Sequence, residues 1–142
     1  MWRCLATRLS PLLEQCVERR QRALRNDREN MALLQRASEV GFSIVLDDFG
    51  TGYSSISLLD QLPLSKVKLD HSFVHSAMQS EQGKTLLAAI LSLLKEMNLC
   101  CCVEGVSDPV IEQYVASLGC EEVQGFLIGK PQIIGPDFRW PT

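Results

Sequence analysis

Asp47 and Asp48 are adjacent carboxylates at the end of the aliphatic run Ile44-Val45-Leu46, and the chain then breaks into Phe49-Gly50-Thr51-Gly52-Tyr53-Ser54-Ser55. Paired oxygen donors of this kind suit a hard divalent cation such as Mg²⁺ or Mn²⁺. Neighbours in a strand point to opposite faces, so the two can share one site only where the strand begins to turn. Gly50 and Gly52 permit that turn and a close backbone approach to a ligand. The plainer alternative is an Asp-Asp loop that only caps the helix after it. Downstream, Lys68 and Asp70 lie two residues apart and so share one strand face. A lysine directed inward needs a carboxylate nearby to offset its desolvation. It could then orient a water or stabilise charge building on a phosphate, the alternative being a plain ion pair at a rim. Glu104 before Gly105 and Gln124 before Gly125 repeat the pattern with one more carboxylate and one more amide. Each is weak evidence in isolation. Together, four consecutive strand ends carrying Asp-Asp, Lys-x-Asp, Glu and Gln point to metal-assisted phosphate chemistry.

Other chemistry is less well supported. His71 and His75 are four apart, which on a helix would face one metal, but they lie in a weakly helical stretch with no glutamate between them in a zinc-protease pattern. The six cysteines (4, 16, 100, 101, 102 and 120) include three in a row, which on a strand alternate faces, and no CxxC spacing occurs. They read as buried reduced thiols. Trp2 and Trp140 read as packing residues.

Positioning four strand ends on one side requires parallel strands joined by helices, and the chain supplies that order. Residues 2–24 have helical spacing interrupted by Pro11, a segment of residues 1–25 set apart from residues 26–142. Asn26-Asp27 is a cap for a helix through Val40, closed by Gly41. Strand Phe42–Leu46 follows, then a short helix from Ser54 or Ser55 to Leu62, stopped by Pro63. Strand Val67–Leu69 leads into a mostly polar connection over 71–80, with a helical turn at Phe73-Val74. An amphipathic helix over Glu81–Met97 carries the stripe Leu86, Leu87, Ile90, Leu91, Leu94 and Met97. Strand Leu99–Val103 comes next, and Ser107-Asp108-Pro109 opens a helix through Leu118. Gly119 closes that helix before strand Glu121–Gln124, and the tail holds prolines 131, 136 and 141. The expected fold class is α/β: a partial TIM-type barrel of about four C-terminal βα units with parallel strands, its functional groups at the C-terminal strand ends.

Composition narrows the function classes. A hydrophobic fraction of 46% with 22% charged residues is that of a folded globular domain, which excludes wholesale disorder. Six arginines in residues 1–25 leave a negative remainder within a net charge of −3; they are scattered, and the bulk charge argues against a binder of nucleic-acid duplexes. No apolar run approaches the ~20 residues of a membrane span, and Arg3 and Arg8 interrupt any signal-like core, so a cytoplasmic location is expected.

The string Asp47-Asp48-Phe49-Gly50-Thr51-Gly52-Tyr53-Ser54-Ser55 closely resembles a loop of the EAL-domain family, the cyclic di-GMP phosphodiesterases. Lys68-Leu69-Asp70 with Phe73-Val74 looks like its Lys-Ile-Asp segment, Glu104-Gly105-Val106 like its Glu-Gly-Val-Glu motif, and Gln124-Gly125-Phe126 with Lys130-Pro131 like its closing motif. These matches run in order from about residue 22 to 131, the C-terminal half of such a domain. The resemblance implies a TIM-type barrel that opens cyclic di-GMP to the linear dinucleotide with two Mg²⁺ or Mn²⁺ ions. It implies that Asp47 bridges the metals and Asp48 ligates the second. Lys68 would orient the attacking water with Asp70 beside it, and Glu104 and Gln124 would complete the network. The loop Gly50 to Ser55 would also serve dimerisation.

The departures from the pattern shape the functional expectation. The Glu-Ala-Leu motif and the asparagine of the next strand are absent. In Arg20-Gln21-Arg22-Ala23-Leu24, Gln21 takes a glutamate position, and Ser107 replaces the second glutamate after Val106. Residues 1–21 match badly, as a truncation, frameshift or late start would leave them. The expectation is therefore a truncated phosphodiesterase domain that binds metal weakly and is inactive as this chain alone, with exposed edges and an uncovered apolar face. The alternatives are a non-catalytic interaction or dimerisation module in cyclic di-GMP signalling, and an active enzyme that borrows ligands from another chain.

Overall fold

The computed structural model describes residues 28–51 and 56–130. The expected helix over 2–24, Gln21, the Asn26-Asp27 cap, Cys4 and Cys16, both tryptophans, Gly52 to Ser55 and the proline-bearing tail lie outside them. The elements in order are α1 (Arg28–Glu39), β1 (Val45–Phe49), α2 (Ser57–Gln61), β2 (Lys66–Leu69), α3 (His71–Gln79), α4 (Glu81–Glu96), β3 (Cys100–Glu104), α5 (Pro109–Ser117) and β4 (Glu122–Gln124). The strands form one parallel sheet in the order β1-β2-β3-β4. Consecutive parallel neighbours with helical crossovers are the arc of a barrel, as the strand–helix alternation predicts.

Local chemistry sets most boundaries. Gly41, at φ +94°, closes α1 in a Schellman arrangement, with Gly41 N donating to Ser38 O and Phe42 N to Ala37 O. Leu62, before Pro63, is extended (φ −98°, ψ 144°) and ends α2. Asp108 accepts from the Val110 and Ile111 amides, and Pro109 fills the first turn of α5. Ser80 both ends α3 and caps α4, accepting from Gly83 N.

Three expectations are corrected. The first strand runs Val45–Phe49 rather than Phe42–Leu46, because its pairing with β2 begins at Val45↔Lys66. The connection over 71–80 is a nine-residue helix: Asp70 caps it, and Val74 and Ala77, three apart, bury its inner face. On α4 the stripe is narrower than expected, since Leu87, Leu91 and Leu94 are buried with Gly83 while Leu86 is exposed.

The sheet has two unlike faces. Val67, Leu69, Cys101 and Val103 alternate onto the face covered by helices, where they pack with Val74, Ala77, Leu87, Leu91, Leu94, Ile111 and Val115. Each such buried aliphatic side chain contributes on the order of 1.5–3 kcal/mol relative to exposure. The opposite face carries Lys66 and Lys68 on β2, Cys100, Cys102 and Glu104 on β3, and Glu122 on β4, which the register sets side by side. Lys66 Nζ lies 2.8 and 2.7 Å from the two oxygens of Glu122. Among the described residues this second face is thus ionic and polar, with Cys100 and Cys102 set between the charges.

Candidate metal centre

The register of β1 against β2 shifts between Leu46 and Phe49, so the strand bulges at Asp47-Asp48. Asp48 has φ +50°, a left-handed conformation that aspartate tolerates better than most residues. Thr51 holds it, donating from both N (3.2 Å) and Oγ1 (2.9 Å) to Asp48 O. A regular strand would send the two carboxylates to opposite faces. The bulge brings them to one site, the condition that the sequence reading required.

Asp47, Asp48 and Glu104 each offer an oxygen within 4.8 Å of the others, all three being half-buried. Lys68 bridges two of them, with Nζ 3.0 Å from Asp47 Oδ1 and 2.5 Å from Glu104 Oε1. Burial pulls the Lys68 ammonium toward lower pKa, but hydrogen bonds to Glu104 and Asp47 outweigh it and hold the group above its ordinary 10.5. Lys68 is therefore a fixed positive charge at neutral pH. Three hard anionic oxygens at this spacing fit a divalent cation of the Mg²⁺, Mn²⁺ or Ca²⁺ kind, and the donor set excludes a soft, thiolate-loving metal. The nearby thiols point the same way. Burial pushes Cys100 up to about 12 and Cys102 up to about 11, so neither adds a thiolate to this group in the metal-free chain.

The other expected residues are placed differently. Asp70 is buried and does not pair with Lys68. Its Oδ1 accepts from Ser72 N (2.9 Å) as the cap of α3, and its Oδ2 lies 3.0 Å from His71 Nδ1. Gln124 sits opposite Glu104 in the register, but its residue is exposed and its side chain makes no hydrogen bond among the described residues. His71 and His75 do fall on one helix, yet His71 pairs with Asp70 and His75 with Gln79. Sequence reasoning missed the Lys66–Glu122 pair; its signal was available, since each lies two residues before a chosen site residue and shares its face.

Asp70 yields a pH prediction. Burial raises its carboxyl pKa, but hydrogen bonds from Ser72 and the neighbouring imidazole outweigh this and leave it below the ordinary 3.8. A lowered folded pKa gives stability that is full above 3.8 and is lost as pH falls through the folded value. Asp70→Asn, which caps without titrating, is expected to flatten that acid limb in urea unfolding measured across pH, while costing less at pH 7 than the ~1 kcal/mol of Asp70→Ala. An unchanged acid limb in Asp70→Asn would refute the assignment.

Comparison with known proteins finds relatives of this chain. The EAL domain family model matches residues 7–131, beginning nearer the N-terminus than the motifs at about residue 22. The bifunctional diguanylate cyclase/cyclic di-GMP phosphodiesterase MucR of Pseudomonas aeruginosa is 36% identical over 109 residues, covering 77% of this chain and 16% of that protein. A solved structure described as PaMucR phosphodiesterase in complex with c-di-GMP superposes with TM-score 0.68 at 36% identity, covering 77% of this chain and 44% of that one. A manganese/cy-diGMP complex of Klebsiella pneumoniae BlrP1 superposes with TM-score 0.62 at 28% identity, covering 68% and 24%. The chain therefore spans less than half the length of these relatives. None of the described helices is long and apolar enough to cross a membrane.

Proposed function

This chain belongs to the EAL domain family, and from that premise we propose that it carries the C-terminal strand ends of a cyclic di-GMP phosphodiesterase site. We propose further that this chain by itself binds Mg²⁺ or Mn²⁺ without turning the dinucleotide over. The observation that carries the reading is the bulge that sets Asp47 and Asp48 beside Glu104, with Lys68 bridging Asp47 and Glu104. Asp47, Asp48 and Glu104 would hold the cation. A cation bound there supplies Lewis acidity toward a phosphoryl oxygen and lowers the pKa of a bound water.

Among the described residues, Lys68 is well placed to act on the substrate. Its ammonium is kept charged by two carboxylates, so it can donate to a water or to an anionic phosphate oxygen without changing protonation. The group of three carboxylates found among the described residues is small for a two-metal displacement, which needs anionic ligands for both ions. Gln21, at a position where the family pattern has glutamate, offers a neutral amide. These two features support cation binding without efficient hydrolysis.

The test uses the 142-residue chain with Mn²⁺, following cation affinity by calorimetry and cyclic di-GMP by chromatography. The chain is expected to bind Mn²⁺, and Asp47→Asn to weaken it by at least on the order of 100-fold, beyond what loss of an outer-shell partner costs. No linear dinucleotide is expected from either protein. Linear product that appears with the chain and vanishes in Asp47→Asn would overturn the inactivity. Absence of Mn²⁺ binding would overturn the site.

A further inference from the structure

We infer that the first turn of α3 is the spacer that sets the separation between the two halves of the carboxylate group, with Phe73 and His71 as its positioning residues. The inference rests on reading Asp47, Asp48 and Glu104 as cation ligands. Each ligand-bearing strand end is followed within two residues by a glycine whose missing side chain is replaced by α3. After Asp48 comes Gly50, at φ +104°, where an added Cβ would fall on the ring of Phe73. After Glu104 comes Gly105, at φ +76°, where an added Cβ would lie 2.5 Å from His71 Cβ and 3.2 Å from its Cα. One helical turn therefore fills both positions.

The spacer is itself anchored. Asp70 N donates to Phe49 O (3.3 Å), and Phe73 N donates to Asp70 O (3.1 Å), tying the helix start to the end of β1. Val74 and Ala77 are buried beneath it. Behind it, Gly83 allows α4 to come so close that a Cβ there would strike the Ser76 backbone. The helix cannot retreat without opening close-packed contacts, and such packing passes small displacements on rather than absorbing them. On the other side, Asp48 is held at positive φ, a conformation a non-glycine residue keeps only when its surroundings enforce it. The Phe73 ring against Gly50 is part of that enforcement. Phe73 has no ligating atom, so its action on the cation is through the turn.

The experiment measures Mn²⁺ affinity by electron paramagnetic resonance and amide hydrogen exchange in the metal-free state, both below the unfolding range, in the 142-residue chain. Phe73→Ala is expected to weaken Mn²⁺ binding by ~10-fold or more, the scale of a lost supporting contact. It should speed exchange at the Thr51 and Asp70 amides while leaving Val103, inside β3, unchanged. Phe73→Leu, which keeps most of the apolar volume, is expected to recover most of the affinity, and it decides the question if Phe73→Ala does not fold. Gly50→Ala should speed Thr51 exchange in the parent chain, and by less in the Phe73→Ala background, where the methyl has room. A folded Phe73→Ala with parental Mn²⁺ affinity and parental Thr51 exchange would overturn the inference, leaving Phe73 an ordinary packing residue. A parent chain that binds no Mn²⁺ would instead sink the cation reading, and the exchange rates at Thr51 would still decide whether α3 holds the turn.

Discussion

Replacing Lys68 with methionine is expected to destabilise the metal-free chain by about 2 kcal/mol and to make its stability depend strongly on Mn²⁺. Lys68 is the ion-pair partner of Asp47 and Glu104, and the side chains concerned are each only about a fifth exposed (22%, 22% and 17%). Removing it leaves three carboxylates gathered within 4.8 Å. Loss of one partner from a fully buried pair costs ~3–5 kcal/mol; residual solvent screening reduces that here. A divalent cation would then supply the missing positive charge, and a ligand that binds only the folded state raises stability by mass action.

The checking measurement is urea unfolding with and without Mn²⁺. Lys68→Met should gain more from Mn²⁺ than the parent chain, in which the ammonium and the cation compete for the same oxygens. Equal gains would mean that the cation does not bind at these carboxylates. The variant also has an alkaline signature. A lysine held above 10.5 when folded contributes stability that is complete below 10.5 and is lost as pH rises through the folded value, and Lys68→Met should lack that limb.

The second large effect is on the fold. Leu69→Ala is expected to cost about 3 kcal/mol, within the ~2–5 kcal/mol range for truncating a buried leucine. Leu69 is fully buried, pairs in register with Phe49 on one side and Val103 on the other, and directly follows Lys68. Neighbouring backbone cannot close the void without disturbing both strand pairings. Leu69→Ile, which conserves volume, should lose less than ~1.5 kcal/mol. Urea unfolding at unchanged slope measures both. A loss under ~1 kcal/mol for the alanine variant would show that the helix-covered face is not packed as described.

Much of the fold was legible because its signals are local. Gly41 and Gly119 at helix ends, Pro63 after α2 and Asp108-Pro109 before α5 act within a few residues, and each boundary falls within about a turn of where spacing put it. The helix α3 was not legible. Its sequence, His71-Ser72-Phe73-Val74-His75-Ser76, is a poor helix former, and what makes it helical is the Asp70 cap and burial of Val74 and Ala77 against the sheet. The same cause explains Asp70. Two-residue spacing put it on the lysine's face, but the chain turns into the helix at Asp70 and takes its carboxylate to the Ser72 amide.

What the sequence by itself determined is the inventory and its order: parallel strand–helix units, and strand ends that bear Asp47-Asp48, Lys68, Glu104 and Gln124. Period-two alternation, turn-forming glycines and capping residues all act over short range, so they can be read along one line of residues. The tertiary structure decided which of those side chains meet. Pairing of β1 with β2 created the bulge that turns both aspartates to one site, and pairing of β2 with β3 gave Lys68 to Glu104 rather than to Asp70. It also gathered Lys66, Lys68, Glu104 and Glu122 onto one sheet face. These outcomes depend on register between segments some twenty to fifty residues apart, which is fixed by packing of the whole sheet against its helices and has no local signature in the chain.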